Sequence, residues 1–112
     1  MYMEFRYKPL EVLFQGLADA NRLFIITTIG EEERSVSEIV EATGLSQPLV
    51  SHHLKLLKNS FILKTRRDGL FVRYSLTDRS ILAILKEAND FIEDFDKFIK
   101  EAPPGVFSWC CR

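Results

Sequence analysis

Between residues 46 and 76 the chain changes its apolar period once, and that change limits the folds open to it. The first half sits in LSQPLVSHHLKLLKNS, where Val50, Leu54 and Leu57 recur at helical spacing. Ser51, His52, Lys55 and Lys58 fall largely on the other side. Ser46 is a good helix N-cap, and Pro48 lies in the first turn, where its missing N–H costs nothing. The second half alternates with a period of two. Phe61, Leu63 and Thr65 alternate with Ile62, Lys64 and Arg66, and Phe71, Arg73 and Ser75 with Val72, Tyr74 and Leu76. Asp68-Gly69 supplies the hairpin turn between them. A polar-faced helix running straight into a β-hairpin needs other helices to cover both.

The residues before it supply them. Leu10, Leu13, Phe14 and Leu17 make one helical stripe, with Pro9 near its start. The stripe runs through LEVLFQG, a string close to an engineered protease site, so the string reads as native helix. Asp19 caps a second helix with Leu23, Ile25, Ile26 and Ile29 inward and Gly30 as its stop. Ser35 or Ser37 caps a short third helix, in which Ile39, Val40 and Ala42 face inward and Gly44 ends the run. Ser35 and Glu38 have capping-box spacing. Only Gly44-Leu45-Ser46 separates this helix from the next, which is helix-turn-helix spacing. The order expected is α-α-α-α-β-β-α, mainly α with a small β-hairpin, in a winged helix-turn-helix. At 112 residues there is room for one such domain and too little for two.

The last helix, about residues 78–101 behind Thr77 or Asp78, carries more apolar surface than one small core can cover. Leu85, Phe91, Ile92, Phe95, Phe98 and Ile99 extend it, and residues 102–112 follow as a tail. The surplus is expected to meet Leu10, Leu13 and Phe14 of the first helix and a second copy of the chain, giving a homodimer. No apolar run is long enough for a membrane span, no signal peptide is visible, and a cytoplasmic setting is expected. The two cysteines, Cys110 and Cys111, are adjacent and do not form a disulfide framework.

Net charge is −1, but its distribution is uneven. Residues 45–77 hold six bases (Lys55, Lys58, Lys64, Arg66, Arg67, Arg73) against Asp68, while the segments on either side are acidic. A local basic stretch in an acidic chain is the footprint a polyanion needs, because phosphates respond to the nearby surface.

Three segments resemble the ArsR/SmtB family of winged-helix transcriptional repressors. LFQGLADANRLFII is similar to the family's opening, in which "ALADPTRL" is usual; here Ala20 replaces the proline. LSQPLVSHHLKLLKNSFI resembles the recognition helix and wing entry, "LSQSTVSHHLKVLREAGLV". RRDGLFVRYSLTD resembles the wing. The resemblance implies a homodimer binding double-stranded operator DNA of imperfect twofold symmetry, as a regulator and usually a repressor. It places Ser46, Gln47, Leu49, Ser51, His52 and Lys55 on the helix that enters the major groove, with Arg66, Arg67 and Arg73 on the wing. Gln47 suits an adenine edge; Leu49 suits a thymine methyl or a shield for the helix-turn-helix junction. His53 borders the buried stripe and reads as a structural residue under the wing. The family often has Gly where this chain has Ser60, so Asn59 is expected to take any left-handed position there.

The family's metal sites are not carried over. Where one uses "ELCVCDL", this chain has ERSVSEI, with Ser35 and Ser37 in place of thiolates. Where the other uses imidazoles on the last helix, the matching residues are Asp78, Ser80, Phe91 and Asp94. No cofactor or standard metal site is expected. Cys110 and Cys111 leave two readings open, a bland tail or a thiol or metalloid sensor; the inducer is unknown. An enzyme is not expected, since no nucleophile, base and orienter are visibly arranged. The competing class is a winged-helix protein-interaction module that binds no operator.

Overall fold

The computed structural model describes residues 2–101, with side chains throughout except those of residues 2–4 and 96–99. Eight elements follow in order: α1 (Tyr2–Leu17), α2 (Ala20–Ile29), β1 (Arg34–Ser35), α3 (Val36–Thr43), α4 (Gln47–Asn59), β2 (Leu63–Asp68), β3 (Phe71–Leu76) and α5 (Ser80–Glu101). The expected helices and hairpin are present, with one addition. β1 pairs antiparallel with β3, so the hairpin becomes a three-stranded sheet of order β1-β3-β2. Two residues carry too short a pattern to be read as a strand from sequence. The chain forms two compact units, divided between Ile81 and Leu82.

The core of the first unit is aliphatic. Ile25, Ile26, Ile29, Ile39, Val50, Leu54, Leu57, Ile62 and Leu63 are all buried, one inner edge from each of α2, α3, α4 and β2 and its approach. Each such side chain contributes about 1.5–3 kcal/mol. Ala42 is exposed, against the expectation from the α3 pattern, because α3 is only eight residues long and Ile39 and half-buried Val40 fill its inner face.

One side chain joins α1, α2 and α4. Helix α1 ends at Leu17, leaving carbonyls without intrahelical partners. Arg22 answers two of them, donating through Nε to the Gly16 carbonyl (2.8 Å) and through Nη2 to the Gln15 carbonyl (3.1 Å). Its remaining amino group, Nη1, lies 3.4 Å from Nδ1 of buried His53 on α4. A guanidinium only donates, so Nδ1 is the accepting nitrogen and the ring N–H is Nε2, which lies 4.0 Å from Asp19 Oδ1. Asp19 caps α2 by accepting the N–H groups of Asn21 (2.8 Å) and Arg22 (3.2 Å). The partners of His53 are thus at the start of α2 rather than on the wing.

Helix α1 begins well before Pro9, which lies inside it. The missing N–H of Pro9 leaves the carbonyl of exposed Phe5 without its usual intrahelical partner. Near the other end, Gly16 is needed for close approach. A Cβ there would stand 2.6 Å from Ile62 Cδ1 and 3.1 Å from Ser60 Cβ. LEVLFQG is therefore fitted into the fold at its last residue.

The helix ends follow their capping residues. Ser35, not Ser37, starts α3, with a complete capping box: Glu38 N–H donates to Ser35 Oγ (3.3 Å) and Ser35 N–H to Glu38 Oε1 (3.1 Å). Gly44 closes α3 in the left-handed conformation (φ 73°). After α4 the left-handed residue is neither Asn59 nor Ser60 but Phe61, at φ 61°. Its conformation turns the chain so that Ile62 and Leu63 are buried while Phe61 itself is 81% exposed. Strand alternation therefore starts at Leu63, two residues later than the sequence pattern suggested. The turn is held from both sides: Phe61 N–H donates to the Lys58 carbonyl (3.1 Å), and the Thr77 hydroxyl donates to the Phe61 carbonyl (2.9 Å).

The second unit is the helix from Leu82 onward. Leu82 and Leu85 are half-buried, Phe91 and Ile92 are exposed, and the rings of Phe91 and Phe95 stack at 5.6 Å. Lys86 and Asp90 form an i,i+4 ion pair at 3.1 Å on the polar side. Asp78 Oδ1 accepts the Ser80 N–H (2.8 Å) at the start of α5, which makes Asp78 the capping residue.

Two outcomes follow. Gly16→Val drives a branched side chain into Ile62 and is expected to cost about 1–3 kcal/mol in urea unfolding; Gln15→Ala next to it should stay within about 0.5 kcal/mol. Asp19 has its carboxyl pKa lowered, chiefly by the Arg22 N–H, so its stabilisation is present above the ordinary carboxylate pKa and disappears as pH falls through the lowered value. Asp19→Asn should unfold at lower urea at neutral pH and lose less stability than wild type on acidification.

Candidate nucleic-acid interface

Helices α3 and α4 with the turn Gly44-Leu45-Ser46 form the helix-turn-helix. Val50, His53, Leu54 and Leu57 anchor α4 in the core. The opposite side is open: Ser46, Gln47, Ser51, His52, Lys55 and Lys58 are exposed and Leu49 is half-buried. At the N-terminus of α4, the Ser46 hydroxyl accepts the Leu49 N–H (3.4 Å), and Pro48 has no N–H. The donors left at that end are the Gln47 N–H and its side-chain amide, facing outward with the positive end of the helix. His52 is exposed, with its ring edge-on to His53 at a centroid distance of 5.3 Å.

The wing is β2, the turn at Gly69-Leu70, and β3. Gly69 has φ 62° and Leu70 does not share a positive φ, the pattern of a type II′ turn. Register sets which arginines share a face. Arg66 is paired with Arg73, and Arg67 with Val72. Arg66 and Arg73 therefore sit side by side on one face, a like-charge arrangement that needs compensation. Three carboxylates provide it. Arg66 forms a two-armed pair with Glu33, Nε to Oε2 at 2.9 Å and Nη2 to Oε1 at 3.1 Å. Arg73 lies between Asp68, Nε to Oδ2 at 3.0 Å, and Glu38, Nη1 to Oε1 at 3.0 Å. The Arg66 hydrogen bonds hold the Glu33 pKa down, and the Ser35 backbone N–H holds that of Glu38 down. Arg67 is exposed and has no ion pair among the described residues.

Glu33 and Glu38 were not among the site residues read from sequence. Glu38 was identifiable as a capping residue, but its contact with Arg73 spans 35 positions and that of Glu33 with Arg66 spans 33, so no local pattern announces them.

The apolar residues expected at a subunit interface are divided between the two units. Leu10 and Phe14 are exposed and Leu13 is half-buried; on α5, Phe91 and Ile92 are exposed and Leu85 and Phe95 are half-buried. The side chains of Phe98 and Ile99, and Cys110 and Cys111 altogether, lie outside the described residues. Ser35 and Asp78, which fall at family metal-ligand positions, are used here as helix caps. Among the described residues no group of three or more His, Cys, Asp or Glu side chains could hold a metal ion. No described helix is long and apolar enough to cross a membrane.

The fold and this face define a winged helix-turn-helix DNA-binding regulator. Residues 19–64 match the family described as "Bacterial regulatory protein, arsR family". The chain is 32% identical over 83 residues to the transcriptional repressor SmtB homolog of Synechocystis, covering 74% of this chain and 63% of that protein. It is 32% identical over 88 residues to the nodulation protein NolR of Rhizobium meliloti, covering 79% of this chain and 72% of that one. The crystal structure of NolR from Sinorhizobium fredii superposes with a TM-score of 0.72 at 27% identity, over 80% of this chain and 90% of that one. The chain belongs to the arsR family, whose members are DNA-binding transcriptional regulators and not enzymes. It spans about three-fifths of the first curated relatives' length: 63% of the SmtB homolog and 58% of KmtR of Mycobacterium tuberculosis.

Proposed function

We propose that the protein is a homodimeric repressor that binds double-stranded operator DNA of imperfect twofold symmetry. The observation that carries this is the two-sidedness of α4. One side is locked into the core by Val50, His53, Leu54 and Leu57, and the other presents Ser46, Gln47, Ser51, His52 and Lys55 to the outside. A helix held this firmly can spend its outer face on recognition. Gln47 at its N-terminus has the amide geometry for an adenine edge, and Ser51 and His52, one turn in, can reach bases or phosphates. Leu49 suits a thymine methyl, and Lys55 positions the helix through phosphate. The wing arginines Arg66, Arg67 and Arg73 are the remaining candidates, on the hairpin that follows α4.

The twofold assembly is supported by the exposed apolar side chains on α1 and α5. Phe91 is 66% and Ile92 57% exposed, and large apolar groups left in water favour burial against a second copy. The dimer must set two α4 helices about 34–36 Å apart to meet successive major grooves. The name of the Synechocystis relative, a repressor, favours repression. Cys110 and Cys111 are the proposed site of any thiol or metalloid response. Identical DNA binding by wild type and a Cys110→Ser/Cys111→Ser variant, with and without oxidant or thiophilic metal, would remove that role.

Selection of bound fragments from random duplexes should return a motif with twofold symmetry. Gln47→Ala/Ser51→Ala/His52→Ala should keep the fold, judged by circular dichroism, and lose preference for that motif over unrelated duplex by about tenfold or more. An unchanged preference would move recognition elsewhere. Sedimentation should give twice the 13.0 kDa chain mass, and Phe91→Asp/Ile92→Asp should yield a folded monomer with weakened operator binding.

A further inference from the structure

We infer that the three wing arginines divide into two jobs: Arg66 and Arg73 lock the wing to the scaffold through Glu33 and Glu38, with Asp68 of the wing itself steadying Arg73, and Arg67, alone of the three, is a phosphate contact. This rests on the DNA-binding function proposed above and refines its wing.

The division follows from the sheet. Side chains alternate faces along a strand, and directly paired residues share one. Leu63, Thr65 and Arg67 therefore lie on one face with Leu76, Tyr74 and Val72, and the inner end of that face, Leu63 and Leu76, is in the core. Lys64, Arg66 and Asp68 lie on the other face, with Ser75, Arg73 and Phe71. The core face leads to α4, against which β2 packs. Arg67 emerges from that face beyond the edge of the core, where its side chain is exposed. Arg66 and Arg73 emerge from the opposite face, into carboxylates belonging to the loop before β1, to α3 and to β2.

The carboxylates also change what these arginines can give to DNA. A free arginine that contacts a phosphate releases about 0.9 of a condensed cation. An arginine already held by a carboxylate adds no net charge to the footprint, so the net cation release on phosphate contact through it is close to zero. Phosphate contact through Arg66 or Arg73 also brings Glu33 or Glu38 toward like charge. Their arms instead tie together segments more than thirty residues apart in sequence, the loop before β1 to β2 and α3 to β3, and so fix the angle at which the wing leaves the domain.

Two measurements on the full chain separate the jobs: the slope of log affinity against log salt for a mixed-sequence duplex of about three helical turns, and amide hydrogen exchange across residues 64–75. Arg67→Gln should reduce the slope by about 0.9 per subunit and leave exchange unchanged. Arg66→Gln and Arg73→Gln should leave the slope within about 0.3 of wild type and raise wing exchange by about threefold to fivefold, as should Glu33→Gln. The assignment is overturned if Arg66→Gln or Arg73→Gln lowers the slope as far as Arg67→Gln does, if Arg67→Gln leaves it unchanged, or if wing exchange does not respond to Glu33→Gln. A wild-type protein that binds no duplex overturns the proposed function together with the phosphate role of Arg67. The exchange data then still decide the lock.

Discussion

Arg22 is the constraint on which the first unit turns. Its guanidinium has one charge and three directions of donation, and each direction is aimed at a different structural need. Two arms satisfy carbonyls at the end of α1, and the third reaches the buried histidine of α4. Lysine could meet one of these needs as a point charge, but the planar fork meets them together. Because Asp19 accepts the Arg22 backbone N–H and also lies near His53, the junction fixes the start of α2 and the roll of α4 in one cluster. The roll of α4 decides which residues face outward. A helix rotated by one residue, about 100°, so that each side chain took its successor's place, would bury His52 and expose Val50 and Leu54. The polarity of the outward face of α4 is thus set by contacts to the end of α1 and the start of α2.

The wing is governed by a second cluster of the same kind, made of charge instead of backbone capping. β1 is only two residues long, and a strand so short contributes little pairing of its own. It places Ser35 opposite Arg73, and the capping box at Ser35 brings Glu38 into reach of the same arginine. One serine therefore serves as strand residue, helix cap and organiser of an ion pair. This explains how a serine can occupy a position at which relatives of this family can carry a metal-binding thiolate. Here the side chain is committed to the fold, and its hydroxyl is already accepting the Glu38 N–H.

Much of this was legible because the signals were local. The caps at Asp19, Ser35 and Ser46, the stops at Gly30 and Gly44 and the buried stripe of α4 each depend on residues within four positions of one another. The family resemblance then assigned the outward face of α4 to DNA. Features that depend on distant residues were not legible. The role of Gly16 comes from Ile62, more than forty positions away, and the pairing of Arg66 comes from Glu33. Intrinsic preference points to Asn59 for the left-handed residue after α4. Phe61 takes it because burying both Ile62 and Leu63 outweighs a penalty of about 1–2 kcal/mol. Ser35 and Ser37 both have capping chemistry at local range, and the strand pairing of Ser35 with Arg73, a distant contact, favours Ser35.

These pairings narrow the electrostatic footprint that composition suggested. Six bases lie between residues 45 and 77, but two of them are neutralised by carboxylates contributed mainly from the acidic segment before residue 45. Lys55 and Lys58 on α4 and Lys64 and Arg67 on β2 are left without ion pairs among the described residues, and all four are exposed. On the proposed function a footprint of this size gives modest affinity for any duplex, because non-specific binding is almost wholly a matter of phosphate contacts. On the proposed function, preference for one sequence is then the part of the hydrogen-bonding row of α4, Gln47, Ser51 and His52. In that proposal a weak general attraction combined with a hydrogen-bonding outer face keeps the difference between right and wrong sites large, which a regulator facing a genome of competing duplex requires.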